Sequence, residues 1–198
     1  MEYIIEDSLA GEYNIIAGTD EAGRGPLAGP VYAAAVILPV GLEIKGLNDS
    51  KKLSPKKREL LFDEICEKAI SYSIAYEPVE VIESTDILSA SQSAMRKAVA
   101  GLSVKPDVVL VDGNIARGFD VPTKTVIGGD AISPNIAAAS ILAKVSRDRI
   151  CIELDKKYPE YGFLKHKGYG TAEHRKALLE YGPCPEHRMS FLKKILLK

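Results

Sequence analysis

Residues 18–30 read Gly18-Thr19-Asp20-Glu21-Ala22-Gly23-Arg24-Gly25-Pro26-Leu27-Ala28-Gly29-Pro30. Asp20 and Glu21 stand side by side just after the run Asn14-Ile15-Ile16-Ala17, and Gly23-Arg24-Gly25 follows at once. Adjacent carboxylates at a strand end attract hard divalent cations, because oxygen ligands suit Mg²⁺ or Mn²⁺. Backbone amides beside a guanidinium attract phosphate or a sugar hydroxyl. Together they point to phosphoryl chemistry, although the segment taken alone fits a solvated turn equally well. The letters Gly23-x-Gly25-x-x-Ala28 also match a dinucleotide fingerprint, which requires a helix opening at the glycines. Pro26, Gly29 and Pro30 interrupt any helix, and Val31 to Leu38 reads as a second strand after a first over about 13–19. The dinucleotide reading fails on context.

The pattern downstream is strand alternating with helix. Ser54 as N-cap and Pro55 at the first position start a helix whose apolar stripe is Leu60, Leu61, Ile65 and Ala69. Ile70 to Tyr76 reads as a third strand and Ile87 to Leu102 as a helix. Asp107-Val108-Val109-Leu110-Val111-Asp112-Gly113 has the continuous apolar run of a buried central strand. Thr123 to Ile127 is a fifth strand, and Ser133-Pro134 opens a long helix toward Leu154. A loop over 161–170, a helix near 172–181 and a short helix from about Ser190 complete the chain. The class is α/β, a mixed sheet of about five strands flanked by helices. We expect a single domain over 1–198, with its core at about 13–157 and a helical C-terminal extension at about 158–198.

Three strand ends carry carboxylates in the same topological place: Asp20 with Glu21, Asp112, and Asp130. Ligands of open α/β sheets bind beyond the carboxyl ends of the strands. If the first, fourth and fifth strands are neighbours, four carboxylates approach one point, where they repel unless cations compensate them. Asp112 alone is more simply a turn residue, and Asp130 alone a turn or capping residue. Asp130 also precedes a helix N-terminus, which predicts that its ionised form is favoured. A two-metal site for in-line displacement at phosphorus needs such a ligand set.

Bulk properties narrow the class. The 198 residues, 46% hydrophobic, suffice for one well-cored domain. No stretch approaches the roughly 20 apolar residues of a membrane span, and the acidic N-terminus lacks the basic start of a signal peptide. Three scattered cysteines, Cys66, Cys151 and Cys184, fit a reducing cytoplasm. Cys184-Pro-Glu-His187 offers half a zinc site without a second pair. The net charge of −1 is unevenly spread. Residues 1–143 hold 13 basic and 20 acidic side chains (−7), and residues 144–198 hold 13 and 7 (+6). An acidic body with a basic C-terminal quarter fits metal in one region and phosphates in another, although uneven surface charge is common.

Thr19 to Pro30, Asp49-Ser50-Lys51-Lys52-Leu53-Ser54, Val111-Asp112-Gly113, Gly129-Asp130, Ile136 to Asp148 and His166-Lys167-Gly168-Tyr169-Gly170-Thr171 together resemble bacterial or archaeal ribonuclease HII. The resemblance runs from about residue 14 to 175 in the family's order. It implies a ribonuclease H-like fold with Asp20, Glu21, Asp112 and Asp130 as the catalytic, metal-binding carboxylates for two Mg²⁺ or Mn²⁺ ions. It further implies that backbone groups of Gly23, Arg24 and Gly25 contact a ribonucleotide 2′-hydroxyl, and that Tyr169 packs against the adjoining deoxyribose. Ribonuclease HIII carries Gly-Lys-Gly at that place and an extra N-terminal domain.

The activity implied is endonucleolytic: cleavage of the RNA strand of RNA–DNA hybrids and 5′ of single ribonucleotides in duplex DNA. Lys51 is a candidate phosphate contact; Lys144, Arg147, Lys165 and Lys167 are candidate contacts to the duplex backbone. Hybrid or ribonucleotide-containing duplex is the expected partner, with no membrane. A cytoplasmic monomer is expected. Two other classes stay open here: another nuclease or strand-transfer enzyme on the same fold, and a non-catalytic, metal-dependent binding module.

Overall fold

The computed structural model describes residues 4–196. The apolar runs form five strands: β1 (Ile16–Ala22), β2 (Val31–Ile37), β3 (Ser71–Glu77), β4 (Val108–Asp112) and β5 (Thr123–Val126). They make a mixed sheet in the order β3-β2-β1-β4-β5. β2 is antiparallel to β1 and β3, whereas β4 is parallel to β1 and β5. The helices are α1 (Ile4–Leu9), α2 (Pro55–Lys68), α3 (Val79–Ser84), α4 (Ile87–Ala100), α5 (Pro134–Lys157), α6 (Phe163–His166), α7 (Ala172–Tyr181) and α8 (Met189–Leu196).

Local chemistry sets the helix starts. Ser54 Oγ accepts from Lys57 N, Ser133 Oγ from Ile136 N, and Asp86 from Leu88 N and Ser89 N, each cap contributing about 1 kcal/mol. The short helices α1, α3 and α6 were not expected from the sequence. Six or four residues are too few for a 3.6-residue period to show.

Alternate residues of β2 serve two cores. Ala34 and Val36 meet Leu61 and Ile65 of α2 and Ile141 and Leu142 of α5. Ala33, Ala35 and Ile37 meet Ala94, Met95 and Ala98 of α4. Each fully buried Leu or Ile contributes about 1.5–3 kcal/mol. Along its N-terminal half, from Ile136 to Ala143, α5 is buried all round. Its run of alanines lets it lie directly on β1, at Gly18. Residues beyond Lys157 fold back through Tyr161, Phe163, Leu178 and Leu192 onto Ala28 and Leu154. Among the described residues no helix is long and apolar enough to cross a membrane.

β1 continues three residues past its expected end at 19. Its ladder with β2 persists through Asp20↔Ala34, Glu21↔Ala33 and Ala22↔Tyr32, so the acidic pair lies within the strand. The parallel ladder with β4 stops earlier, at Thr19↔Val111. Beyond that last rung the next residue of each strand is a carboxylate.

Candidate active site

Those two residues are Asp20 and Asp112. The Glu21 amide donates to Asp20 Oδ1 at 2.7 Å and the Gly129 amide to Asp112 Oδ1 at 2.8 Å. β5 ends beside them, and Asp130 follows in a single 3₁₀ turn over 129–131. The strand order thus brings the three strand ends together, as the pattern of carboxylates anticipated.

Their electrostatics are those of crowded like charges. Burial first, then the charges of Glu21 and Asp112, hold the Asp20 carboxyl well above the usual range. Burial raises Glu21, with Asp112 adding to it and Arg24, 3.4 Å away, opposing it. Asp130 is raised by burial and then by Asp49 and Asp112. That reverses the expectation from the helix dipole. Asp130 sits a full turn before α5, whose N-terminus Ser133 already caps. Desolvation and two neighbouring acids outweigh a distant partial charge. Burial pulls the Lys51 ammonium down, but Asp20, Asp130, Asp49 and Asp112 together hold it above the ordinary lysine value.

A divalent cation would relieve this repulsion. Among the described residues no three His, Cys, Asp or Glu side chains stand close enough to enclose an ion unaided. The fit is therefore to a hard cation held by one or two carboxylates and completed by water and substrate oxygens, the common manner of Mg²⁺ beside phosphate.

A cleft of about 540 Å³ opens over the acidic pair, with Gly23, Arg24, Gly25, Lys51, Ser140 and Tyr169 in its walls. Tyr169 is 46% exposed. Its Cε1 stands 3.4 Å from where a Cβ on Gly25 would lie, so the two parts of the motif set meet across 144 residues of chain. Ser140, given no role from sequence, bonds Ser50 at 2.8 Å beneath the cleft. A second groove of about 500 Å³ shares Lys144 with the first and adds Arg149, Lys165 and Lys167. Lys144 is paired with Asp148, and Lys165 with Glu173.

Arg147 requires a correction. Expected at the duplex backbone, it is 1% exposed. Its guanidinium donates to Pro30 O (3.3 Å), Lys167 O (3.0 Å) and Ala28 O (3.2 Å). A buried guanidinium with three carbonyl acceptors braces the loop and does not face a phosphate. Gly23 has to be glycine beside it, since its φ is +109° and a Cβ would come within 2.2 Å of Arg147 Nε.

The family described as Ribonuclease HII matches residues 17–194. The chain belongs to the ribonuclease HII family. A Ribonuclease HII of Paracidovorax citrulli (strain AAC00-1) is 59% identical over 89% of this chain and 74% of its own. One from Caldicellulosiruptor saccharolyticus is 53% identical over 97% and 94%. The crystal structure of the ribonuclease H2 from Pyrococcus horikoshii OT3 superposes with a TM-score of 0.76 at 26% identity, covering 92% of this chain and 97% of that one. The sheet and its flanking helices are therefore the ribonuclease H fold, and the chain is an endoribonuclease of a metal-dependent family that cleaves the RNA of RNA–DNA hybrids.

The chain gathers its three histidines in one buried cluster, which sequence reasoning missed. From sequence only His187 has a chemical role of its own, as half a zinc site, and His166 enters only within a motif block; in the structure His187 Nδ1 accepts from the Cys184 amide at 2.9 Å. His187 Nε2 must then carry the proton it donates to His174 Nε2, 2.9 Å away. That leaves His174 Nδ1–H to donate to Tyr169 O at 3.0 Å. Protonating either ring would set N–H against N–H. Burial holds His174 at about 4, and burial with His174 beside it holds His187 at about 4.

Both values lie below the unfolded value near 6.5. The unfolded chain therefore takes up protons first as pH falls. The stability the pair contributes is complete above pH 6.5 and is lost on descent toward 4. We expect each histidine to cost about 2 kcal/mol between pH 7 and 5. Urea midpoints measured across that range check it, and a flat profile refutes the relay.

Proposed function

We propose that the protein cuts on the 5′ side of a single ribonucleotide embedded in duplex DNA, as well as within RNA–DNA hybrids, leaving 3′-hydroxyl and 5′-phosphate ends. The observation that carries this reading is the meeting, in one cleft, of the acidic pair Asp20 and Glu21 with the Gly23-Arg24-Gly25 loop and the exposed Tyr169. A cluster of negative charge facing a phosphodiester favours a hydrolase over a pure binder, because a binder gains nothing from that repulsion.

Two divalent ions, Mg²⁺ or Mn²⁺, supply activation of water and stabilisation of the leaving 3′-oxygen when bound. Asp20, Glu21 and Asp112 are proposed as principal ligands, with Asp130 a ligand of the second ion or its positioning partner. Backbone groups of Gly23, Arg24 and Gly25 read the 2′-hydroxyl, and Tyr169 packs on the adjoining deoxyribose. Lys51, poised over the carboxylates, contacts the scissile region's phosphate. Lys144, Lys165 and Lys167, in and beside the second groove, line the duplex backbone, where Coulomb attraction to phosphate is salt-dependent. We propose that the chain acts as a cytoplasmic monomer, independent of membranes. Its single domain has a core of about 13–157, joined by α1, and a helical extension at about 158–198.

The test is a DNA duplex carrying one ribonucleotide, incubated with protein and Mg²⁺ or Mn²⁺ beside an all-DNA control. One cut 5′ of the ribonucleotide, and none in the control, is the expected result. Cutting of the all-DNA duplex would assign another nuclease activity, and binding without turnover would leave a binding module.

A further inference from the structure

The segment after α7 returns to the start of the chain and lies against the recognition loop. Gly29 N donates to Glu186 O and Arg188 N to Leu27 O, both at 2.8 Å, so that Ala28 and His187 pair as an antiparallel bridge. Arg188 then extends into the loop. Its exposure is 0%, and among the described residues its guanidinium has no ion-pair partner within 4.0 Å. All five N–H groups go to main-chain carbonyls. Nε donates to Gly29 O (3.0 Å), Nη1 to Arg24 O (3.1 Å) and Pro26 O (2.9 Å), and Nη2 to Gly23 O and Gly29 O (2.7 Å each).

A buried charge is retained at such a place only where its donors are fully used. Burial, then the cation of Arg147, draws Arg188 down to about 9, so it remains charged at neutral pH. Four carbonyls from a seven-residue loop would otherwise converge on nothing. Of the common side chains only arginine offers five donors in a rigid plane. The peptide units whose carbonyls it grips, Gly23–Arg24 and Arg24–Gly25, also carry the amides of Arg24 and Gly25, and all three residues line the cleft.

We infer that Arg188 is a positioning residue for ribose recognition: by gripping the carbonyls of Gly23, Arg24, Pro26 and Gly29, it fixes the backbone that reads the 2′-hydroxyl. This rests on the proposed role of Gly23-Arg24-Gly25. The neighbouring His187 holds Tyr169 through His174, so two adjacent residues steady both halves of the recognition surface. Arg188 itself touches no substrate.

The experiment compares single-turnover cleavage of two duplexes, one with a ribonucleotide and one with a 2′-fluoro nucleotide at the same position, whose fluorine is a poor hydrogen-bond acceptor and cannot donate. Wild type, Arg188→Lys and Pro26→Gly are measured, each with its thermal unfolding curve. Pro26→Gly loosens the same loop while leaving Arg188 in place. We expect the ribose-to-fluoro rate ratio to fall roughly 10–100-fold in Arg188→Lys at temperatures where the variant is folded, the scale of a misplaced positioning group. Pro26→Gly should reproduce the fall in part, and it decides the matter alone if Arg188→Lys does not fold. A wild-type ratio in whichever variant folds, with rates lowered only by the unfolded fraction, overturns the inference. A wild-type enzyme that does not distinguish the two sugars overturns instead the reading of Gly23-Arg24-Gly25 on which it rests.

Discussion

Asp20→Asn is expected to abolish cleavage, by about 10³-fold or more in kcat, while making the metal-free protein more stable. Loss of a charged residue proposed as a metal ligand should remove transition-state stabilisation worth several kcal/mol. The stability gain follows from the same carboxylate. Asp20 is 5% exposed and is pushed toward protonation by burial, Glu21 and Asp112. Its folded form holds a proton to higher pH than the unfolded chain does. The resulting stabilisation exists in acid and is lost as pH rises, so at neutral pH the folded state bears the cost of ionising it. Asparagine keeps the oxygen that accepts from the Glu21 amide and removes the charge. We expect about 1–2 kcal/mol, roughly 3 °C in Tm per kcal/mol. Calorimetry without divalent ions, beside a cleavage assay, checks both halves. A fall in Tm alongside lost activity would make Asp20 a structural residue and sink the account of a strained acidic site.

The second large effect concerns Gly18→Ala, a single methyl placed away from the carboxylates. A Cβ at Gly18 would lie 2.3 Å from Ile136 N and 2.4 Å from the Asn135 carbonyl carbon. Both are backbone atoms, so no rotamer change relieves the clash; α5 must move off β1. Asn135 anchors that end of the helix. Its Oδ1 accepts from Leu38 N at 2.8 Å, and its Nδ2 donates to the buried Glu6 carboxylate at 3.1 Å. Displacement breaks these bonds and opens the alanine-lined seam. Overpacking usually costs 1–3 kcal/mol; a collision of backbone with backbone should exceed that, at about 4 kcal/mol or more, a large share of the stability of a domain. Soluble yield and Tm of the variant test it. A Tm within a few degrees of wild type would show that the seam is looser than its distances say.

Much of the site could be read from the chain because its chemistry is local. Val108 to Asp112 announces a buried strand ending in an acid, and Ser133-Pro134 marks where the long helix starts. The approach of Asp20 to Asp112 needed only that their strands be neighbours, which the fold class favours. What escaped was set by partners far along the chain. The extra rungs of β1 depend on β2 continuing beyond β4, and a single strand carries no sign of which neighbour ends first. Arg147 belongs to a basic stretch, so its letter suggests a phosphate. Its acceptors come from residues 28, 30 and 167, and nothing near position 147 foretells them. The histidines at 166, 174 and 187 look unrelated until α7 and the turn after it fold against one another. The sign of the shift at Asp130 is not legible because the helix dipole is visible in sequence, whereas its burial and the charge of Asp49 beside it are not.

The bridge between Ala28 and His187 carries a temporal consequence for the cell. The two residues are separated by 159 positions, so the contact is among the most non-local the chain makes and closes late in folding. On the ribosome, where chains emerge from the N-terminus at about 5–20 residues per second, the sheet and all four acidic positions are synthesised well before Arg188. The nascent chain thus holds the acids proposed for cleavage before Arg188, whose guanidinium grips the loop proposed for recognition. On the proposed reading discrimination is conferred last, and a message truncated before codon 188 would encode the acids without the residue that grips the loop beside them.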